Sequence, residues 1–509
     1  MLPAHLAENI KQQVMFYLQS TFDFSDPLVE AAFQRFLEHP ENGLFKGPWV
    51  QLSRPYRTAD QGEKIPFDFD VPFHPFKHQS RSWRRLNSNE RKPQPTIVTT
   101  GTGSGKTECF LFPILDHCLR AKTDGQKGIK AIILYPMNAL ASDQEKRFAK
   151  LIYKTDKLKK AGITVGNYTG RYDPANPGAD TGSKAMGKEH GISSHATQQS
   201  NPPDILLTNY KMLDYLLMRP QDQQLWRHNK QGVLQYLVLD ELHTYDGAQG
   251  SDVACLIRRL KERLEIPKGD LCVVGTSATL DDRDSMLDSN SGGASADAQE
   301  SGSDRLARFA RTLFEEEIRA DAVIEEDRLS VAEIVSVEQL EVEIPDAVGC
   351  FPSDDEDSVN YAIRQSELWG GPSFVTPGSD IAKPPASLLS KEAYALTEEE
   401  LVIIKRIEDW SVELGTWIKK VSVFDYLLQI FANNEQSDTP LTWDKLVAEV
   451  SVKETHFNSV ADFKNRSMIC ASFFALVAQA KEIRSETPFP LVPTQIQICL
   501  LYTSPSPRD

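Results

Sequence analysis

The sequence predicts an α/β fold: a parallel sheet covered by helices, with a helical extension before it and a mostly helical region after it. Three observations lead there. Between residues 76 and 280, five short apolar runs alternate with stretches of helical periodicity. The first run opens into a glycine loop that passes directly into an apolar helix. Both ends of the chain show apolar residues at helical spacing instead.

Taken in order, residues 1–45 read as helical, with Ile10, Val14, Tyr17 and Leu18 at helical spacing. Residues 46–75 are rich in proline and aromatics and read as an extended connector; residues 1–69 together form an accessory region. The five runs are TIVTT (96–100), AIILYP (131–136), DILLTN (204–209), YLVLD (236–240) and LCVVGT (271–276). Unbroken apolar runs without polar alternation suit strands buried on both faces, as in a parallel sheet. The domain is expected over 70–280, with a mobile Gly/Ser/Asn/Pro-rich insertion between Gly170 and Pro203. Residues 281–304 have linker composition, and 305–498 read as a mostly helical accessory region. There, Ile403, Ile407, Trp410, Leu414, Trp417, Ile418 and Val421 mark one helical face, expected to pack into a core. The last residues, 499–509, break the preceding pattern and read as a foreign junction, so a longer protein is expected.

Composition bounds the function. The 509 residues carry a formal net charge of −16. Residues 281–360 hold 23 acidic and 6 basic residues, and the remainder holds 49 acidic against 50 basic. The acidity is therefore one segment, read as a solvated linker, and does not argue against a nucleic-acid partner. No run of 18 apolar residues predicts a membrane span, and MLPAHLAENIKQQ lacks the apolar stretch of a secretory signal. Seven cysteines are scattered singly, which points to reduced thiols in the cytoplasm rather than a metal framework.

The glycine loop carries the chemistry. Gly101, Gly103 and Gly105 precede Lys106, Thr107 and the apolar helix. Strand, glycine loop and helix are the context of a phosphate-binding loop: glycines let backbone N–H groups turn toward phosphate oxygens. Lys106 reaches the β and γ phosphates of ATP, the Thr107 hydroxyl ligates Mg²⁺, and the helix N-terminus adds partial positive charge. The loop departs from GxxxxGK followed by Ser or Thr at its first position, Thr100. A second apolar strand delivers Asp240 and Glu241 at its carboxyl end, where ligands bind in open α/β sheets. There Asp240 holds Mg²⁺ through water, and Glu241 orients the attacking water. Ser251 followed by Val253, Leu256, Ile257 and Leu260 reads as a capped amphipathic helix behind the site.

These segments together resemble the motifs of superfamily 2 DEAD/DEAH-box-like helicases. TGTGSGKT (100–107) is similar to motif I, YPMNALASDQ (135–144) to motif Ia and LLTNYKMLDYLL (206–217) to the next nucleic-acid-contacting motif. DELH (240–243) resembles motif II, SAT (277–279) motif III and FKHQ (76–79) the upstream glutamine motif. The resemblance implies a RecA-like fold over residues 70–280. It places Gln79 at the adenine, Thr102, Gly103, Ser104, Gly105, Lys106 and Thr107 around the phosphates, and Mg²⁺ between Thr107 and Asp240. It adds His243 to the catalytic set of Lys106, Asp240 and Glu241. Pro136, Asn138, Thr208 and Asn209 would contact single-stranded or duplex nucleic acid, DNA by preference; Ser277, Ala278 and Thr279 would couple the γ-phosphate to a second RecA-like domain. Around motif II the sequence is most similar to RecQ-related helicases with a zinc-binding C-terminal domain, in repair or phage defence. No second motif series follows residue 304, so little unwinding is expected of this chain alone. A P-loop ATPase acting as a switch on a protein partner fits the same nucleotide residues and stays open at this level.

Overall fold

The computed structural model describes residues 3–22, 24–38, 45–89, 91–101, 103–169, 182–245, 247–277, 302–353, 356–375, 384, 397–434, 441–453, 460, 462–484, 487–492 and 494–500. The chain divides into two compact units, one formed by 56–327 and the other by 1–55 with 328–509.

The 56–327 unit is built on a seven-stranded parallel sheet. Its elements begin with α1 (Lys77–Leu86), β1 (Thr96–Thr99), α2 (Lys106–Thr123), β2 (Ala131–Leu134), α3 (Asn138–Lys154), α4 (Asp156–Ala161) and β3 (Val165–Asn167). They continue with α5 (His195–Ser200), β4 (Ile205–Thr208), α6 (Tyr210–Met218), β5 (Tyr236–Leu239), α7 (Gly247–Arg263), β6 (Cys272–Ser277), α8 (Gly302–Phe314) and β7 (Val323–Glu325). The strand order is β3-β4-β2-β5-β6-β1-β7. All five runs foreseen in the sequence are strands of this sheet, so the parallel α/β reading holds.

Side-chain alternation along each strand divides the apolar residues between two faces. Ile132, Leu134, Leu206, Leu237, Leu239 and Val273 pack with Leu213 and Leu216 of α6, Leu256 and Ile257 of α7, and Leu313 of α8. Ile133, Leu207, Val238 and Val274 point the other way, onto Phe110 and Ile114 of α2, Phe148 and Ile152 of α3, and Trp83 of α1. Both faces are dry, which is why the runs show no polar alternation.

Four expectations are corrected. The unit does not stop at residue 280: α8 covers one face, and β7 pairs with β1 through Ile97, Val98 and Thr99. The insertion is partly built into the sheet edge. Gly166 of β3 bridges Ile192, and the His195 ring stacks on Tyr168 at 3.9 Å. Residues 170–181 of that insertion, and 278–301 with most of the expected linker, lie outside the described residues. Ser251 does not cap α7, which begins at Gly247; its hydroxyl donates to the Gly247 carbonyl within the helix. The 46–75 connector begins as a strand, Phe45–Leu52.

The 1–55 and 328–509 unit contains helices Pro3–Thr21 and Pro27–Glu38, and that strand runs antiparallel to Thr494–Leu500. Helices Glu398–Ile418, Ser422–Asn434, Trp443–Lys453 and Phe463–Gln479 share a core. Thr397 caps the first of these, accepting from the Glu400 amide while Glu400 accepts from the Thr397 amide. Its foreseen apolar face is buried at Ile403, Ile407, Trp410, Leu414 and Ile418. Gly415 has no side chain because the Lys481 carbonyl occupies the place of a Cβ. Six described cysteines are free thiols. Among the described residues no helix is long and apolar enough to cross a membrane.

One core group makes this fold sensitive to acid. His117 on α2 lies edge-on to Tyr236 with its Nδ1 2.9 Å from the Ser88 hydroxyl. Burial, with the Arg120 and Lys130 charges nearby, lowers it from 6.5 to about 4. The unfolded chain therefore takes up this proton first as pH falls. The contribution of this group is fully present above pH 6.5 and is lost as pH falls toward 4, by on the order of 2–3 kcal/mol. Melting curves between pH 7.5 and 5 are expected to show this decline, and His117→Gln to flatten it.

Candidate nucleotide site

The site forms where β1, β5 and β6 end, because parallel strands release all their carboxyl ends on one edge. After β1 the chain enters the glycine loop. Gly103 and Gly105 adopt φ of 80° and 77°, a region that favours glycine. A side chain at Gly105 would also strike the Gln79 carboxamide. The loop is braced from within by the Thr100 and Ser104 hydroxyls, 2.6 Å apart. From outside, His78 Nε2 lies 2.9 Å from the Ser104 carbonyl, and Gln79 Nε2 donates to the Gly105 carbonyl at 3.2 Å. Gln79 Oε1 accepts from the Phe76 amide at 2.9 Å, so both ends of this buried carboxamide are engaged by backbone.

Opposite the loop, β5 delivers Asp240 and Glu241. Thr276, near the end of the adjacent β6, organises them. Its hydroxyl donates to Asp240 Oδ1 and accepts from the Glu241 amide at 3.2 Å. Glu241 sits at φ 53°, a left-handed conformation rare for a side-chain-bearing residue. Such strain costs on the order of 1–3 kcal/mol and collects at functional sites. The turn brings Glu241 Oε1 to 3.6 Å from Lys106 Nζ. Its Oε2 lies 3.5 Å from His243 Nδ1, which is 3.4 Å from the Ser277 hydroxyl. Burial pushes the Asp240 carboxyl up; the Thr276 hydroxyl opposes this, the Glu241 charge adds to it and the Lys106 ammonium opposes it. A divalent cation beside Asp240 would favour its charged form.

The structure thus brings Lys106, Asp240, Glu241, His243 and Ser277 together across two strand tips and the start of α2. Thr107, the second residue of α2, is partly buried on the same turn. A helix-start hydroxyl and a strand-tip carboxylate are the hard oxygen donors that suit magnesium carried by a triphosphate. Thr102, Ala278 and Thr279 lie outside the described residues.

The expected nucleic-acid residues divide. Pro136, Asn138 and Asn209 follow the ends of neighbouring strands β2 and β4, and Asn209 Nδ2 donates to Asn138 Oδ1 at 2.8 Å. Asn209 also caps α6, accepting from the Met212 amide. Thr208 does not join them: it is fully buried, and its hydroxyl donates to the Tyr168 carbonyl at 2.6 Å. Two residues of the site escaped the motif reading. Thr276 precedes the SAT triplet, and its hydroxyl after an otherwise apolar run was the available signal. Glu326, just past β7, accepts from the Gly101 amide at 2.9 Å, a contact across 225 residues with no local signal.

Comparison with known proteins agrees with this geometry. Residues 76–286 match the family described as DEAD/DEAH box helicase. The chain is 26% identical over 375 residues to the Druantia protein DruE of Escherichia coli, covering 54% of this chain and 20% of that protein. It is 31% identical over 190 residues to the uncharacterized ATP-dependent helicase YprA of Bacillus subtilis, covering 37% of this chain and 21% of that one. A solved structure of the DUF1998 helicase MrfA bound to DNA and AMPPNP is 22% identical, with a TM-score of 0.38, covering 58% of this chain and 34% of that one. The chain spans about a fifth of the length of the two curated relatives named. The phosphate loop and the paired carboxylates lie on one sheet edge, and both fall within residues 76–286, the stretch that matches the DEAD/DEAH box helicase family.

Proposed function

We propose that the 56–327 unit is the ATP-binding motor domain of a nucleic-acid translocase, working on single-stranded DNA. One observation carries this reading: the Lys106 ammonium and the Glu241 carboxylate face each other at 3.6 Å across the loop and the strand tip. In this reading the glycine loop cradles the phosphates and Lys106 turns from Glu241 to the β and γ phosphates. Glu241, released from that pair, orients the attacking water and takes its proton, while His243 and Ser277 sense the γ-phosphate side. Thr107 and Asp240 would hold magnesium, which would supply charge neutralisation on the phosphates. Asn138 and Asn209 present short polar groups at neighbouring strand tips, suited to phosphates of any sequence. DNA is chosen over RNA on the likeness around Asp240 to RecQ-related helicases. A second RecA-like domain is the partner expected to close over the nucleotide and to bring arginine fingers.

Lys106→Ala is expected to weaken binding of a fluorescent ATP analogue tenfold or more. Glu241→Gln should leave that affinity within about threefold, because it removes a base and not a phosphate contact. With a second RecA-like domain present, both variants are expected to abolish ATPase activity stimulated by oligodeoxythymidine; retention of the stimulated rate by both overturns the assignment. A switch acting on a protein partner predicts no stimulation by any polynucleotide.

Thr276 is a positioning residue. Thr276→Val keeps its volume and removes both hydrogen bonds, each worth roughly 1 kcal/mol. The expected result is a kcat lower by about ten- to a hundredfold with KM for ATP within about threefold, since alignment is lost and phosphate contacts stay. A larger effect on KM than on kcat would contradict this role.

A further inference from the structure

The most basic segment of the motor unit is not at the nucleotide site. Residues 146–160 contain seven Lys or Arg and one acidic residue, Asp156, in a chain of net charge −16. They span the second half of α3 and all but the last residue of α4. On α3 the buried residues are Ala141, Glu145, Phe148, Ala149 and Ile152. That burial turns Lys146, Lys150 and Lys154 outward as one stripe, and α4 buries only Leu158 and leaves its lysines exposed.

Some of these charges are already answered. Lys146 pairs with Asp143 at 3.5 Å, Lys150 with Glu189 at 3.4 Å, and Arg147 with Glu108. Lys157 donates to the Asp68 carbonyl at 2.7 Å. Lys154, Lys159 and Lys160 have no acidic partner among the described residues, and Lys159 Nζ stands 3.8 Å over the exposed Tyr153 ring. Three uncompensated ammonium groups on adjoining helices repel one another, so an external polyanion is favoured there.

The stripe also has a direction. The helix that carries it begins at Asn138, one of the strand-tip residues given to the nucleic acid above. From Asn138 to Lys154 the helix rises about 24 Å, the span of about seven nucleotides at 3.4 Å each.

We infer that the exposed face of α3 and α4 is a phosphate-backbone track. It holds the stretch of nucleic acid that runs on from the Asn138 and Asn209 strand tips. The inference rests on the translocase reading and adds a second contact region to it. The track reads charge and spacing, not sequence, because lysines engage phosphates as point charges.

The test uses the whole 509-residue chain and its K154E/K159E/K160E variant, with fluorescein-labelled oligodeoxythymidine of 6 and of 30 nucleotides. The 30-mer is expected to bind the variant at least tenfold more weakly. Its plot of log affinity against log salt should become shallower by about 2, from three lost contacts at roughly 0.7 each. Affinity for the 6-mer, confined to the strand tips, and for ATP should change less than twofold. Unchanged 30-mer affinity and slope, with the 6-mer still bound by both proteins, overturn the track and leave the translocase reading standing. Failure of wild type to bind either oligonucleotide overturns both. Equal losses on the 6-mer and the 30-mer also overturn the track, since they mark a general change of field.

Discussion

Seven strands running the same way leave every strand's carboxyl end on one edge of the sheet, and the rest of this domain follows from that constraint. Every strand except the edge strand β7 is buried on both faces, so a polar side chain within it carries a cost. Polar residues therefore collect where the strands stop. Thr99 and Thr100 lead into the glycine loop after β1, Asp240 and Glu241 follow β5, and Thr276 and Ser277 close β6. Because β5, β6 and β1 are neighbours in the sheet, these three ends converge on one edge.

Convergence creates an electrostatic problem that the structure settles with few groups. Two adjacent carboxylates at a partly buried strand tip repel each other, and burial alone already pushes Asp240 up. The Thr276 hydroxyl bonds to one of them and to the amide of the other, so one side chain sets both positions. Glu241 takes the left-handed turn that separates the two carboxylates and points one toward Lys106. The same lysine thus offsets both acids before any nucleotide arrives. Entry of a triphosphate substitutes one set of negative oxygens for another around Lys106, which limits the reorganisation that binding requires.

The parts of this arrangement that were legible in the sequence are those with local signatures. A fully buried strand must be an unbroken apolar run, and a loop with two left-handed turns must use glycine there, so β1, β2, β4, β5, β6 and the phosphate loop were visible in 96–107 and the later runs. What escaped depends on partners distant in the chain. The three-residue strands β3 and β7 are too short for periodicity and exist because β4 and β1 offer them hydrogen bonds. Glu326 and Gly101 meet only once β7 has paired with β1. Thr208 fitted a nucleic-acid motif by its position, but the hydroxyl of a buried strand residue must find a partner inside, and the Tyr168 carbonyl supplies it. The Ser251 misreading has the same origin: a serine one turn inside a helix satisfies its hydroxyl on the carbonyl four residues back, and composition alone does not separate that from a cap.

Charge shows the same contrast between bulk composition and local geometry. A net charge of −16 describes no particular surface, since screening at physiological salt limits the reach of an exposed charge to about 8 Å. At that range Lys154, Lys159 and Lys160 respond first to their neighbours on α3 and α4. The helix supplies the organisation: its buried positions are fixed by Phe148 and Ile152 against the sheet, and the 3.6-residue repeat then forces the lysines into one outward line. Packing against the apolar sheet thus arranges the basic surface, just as burial of the strands arranges the acids at their ends.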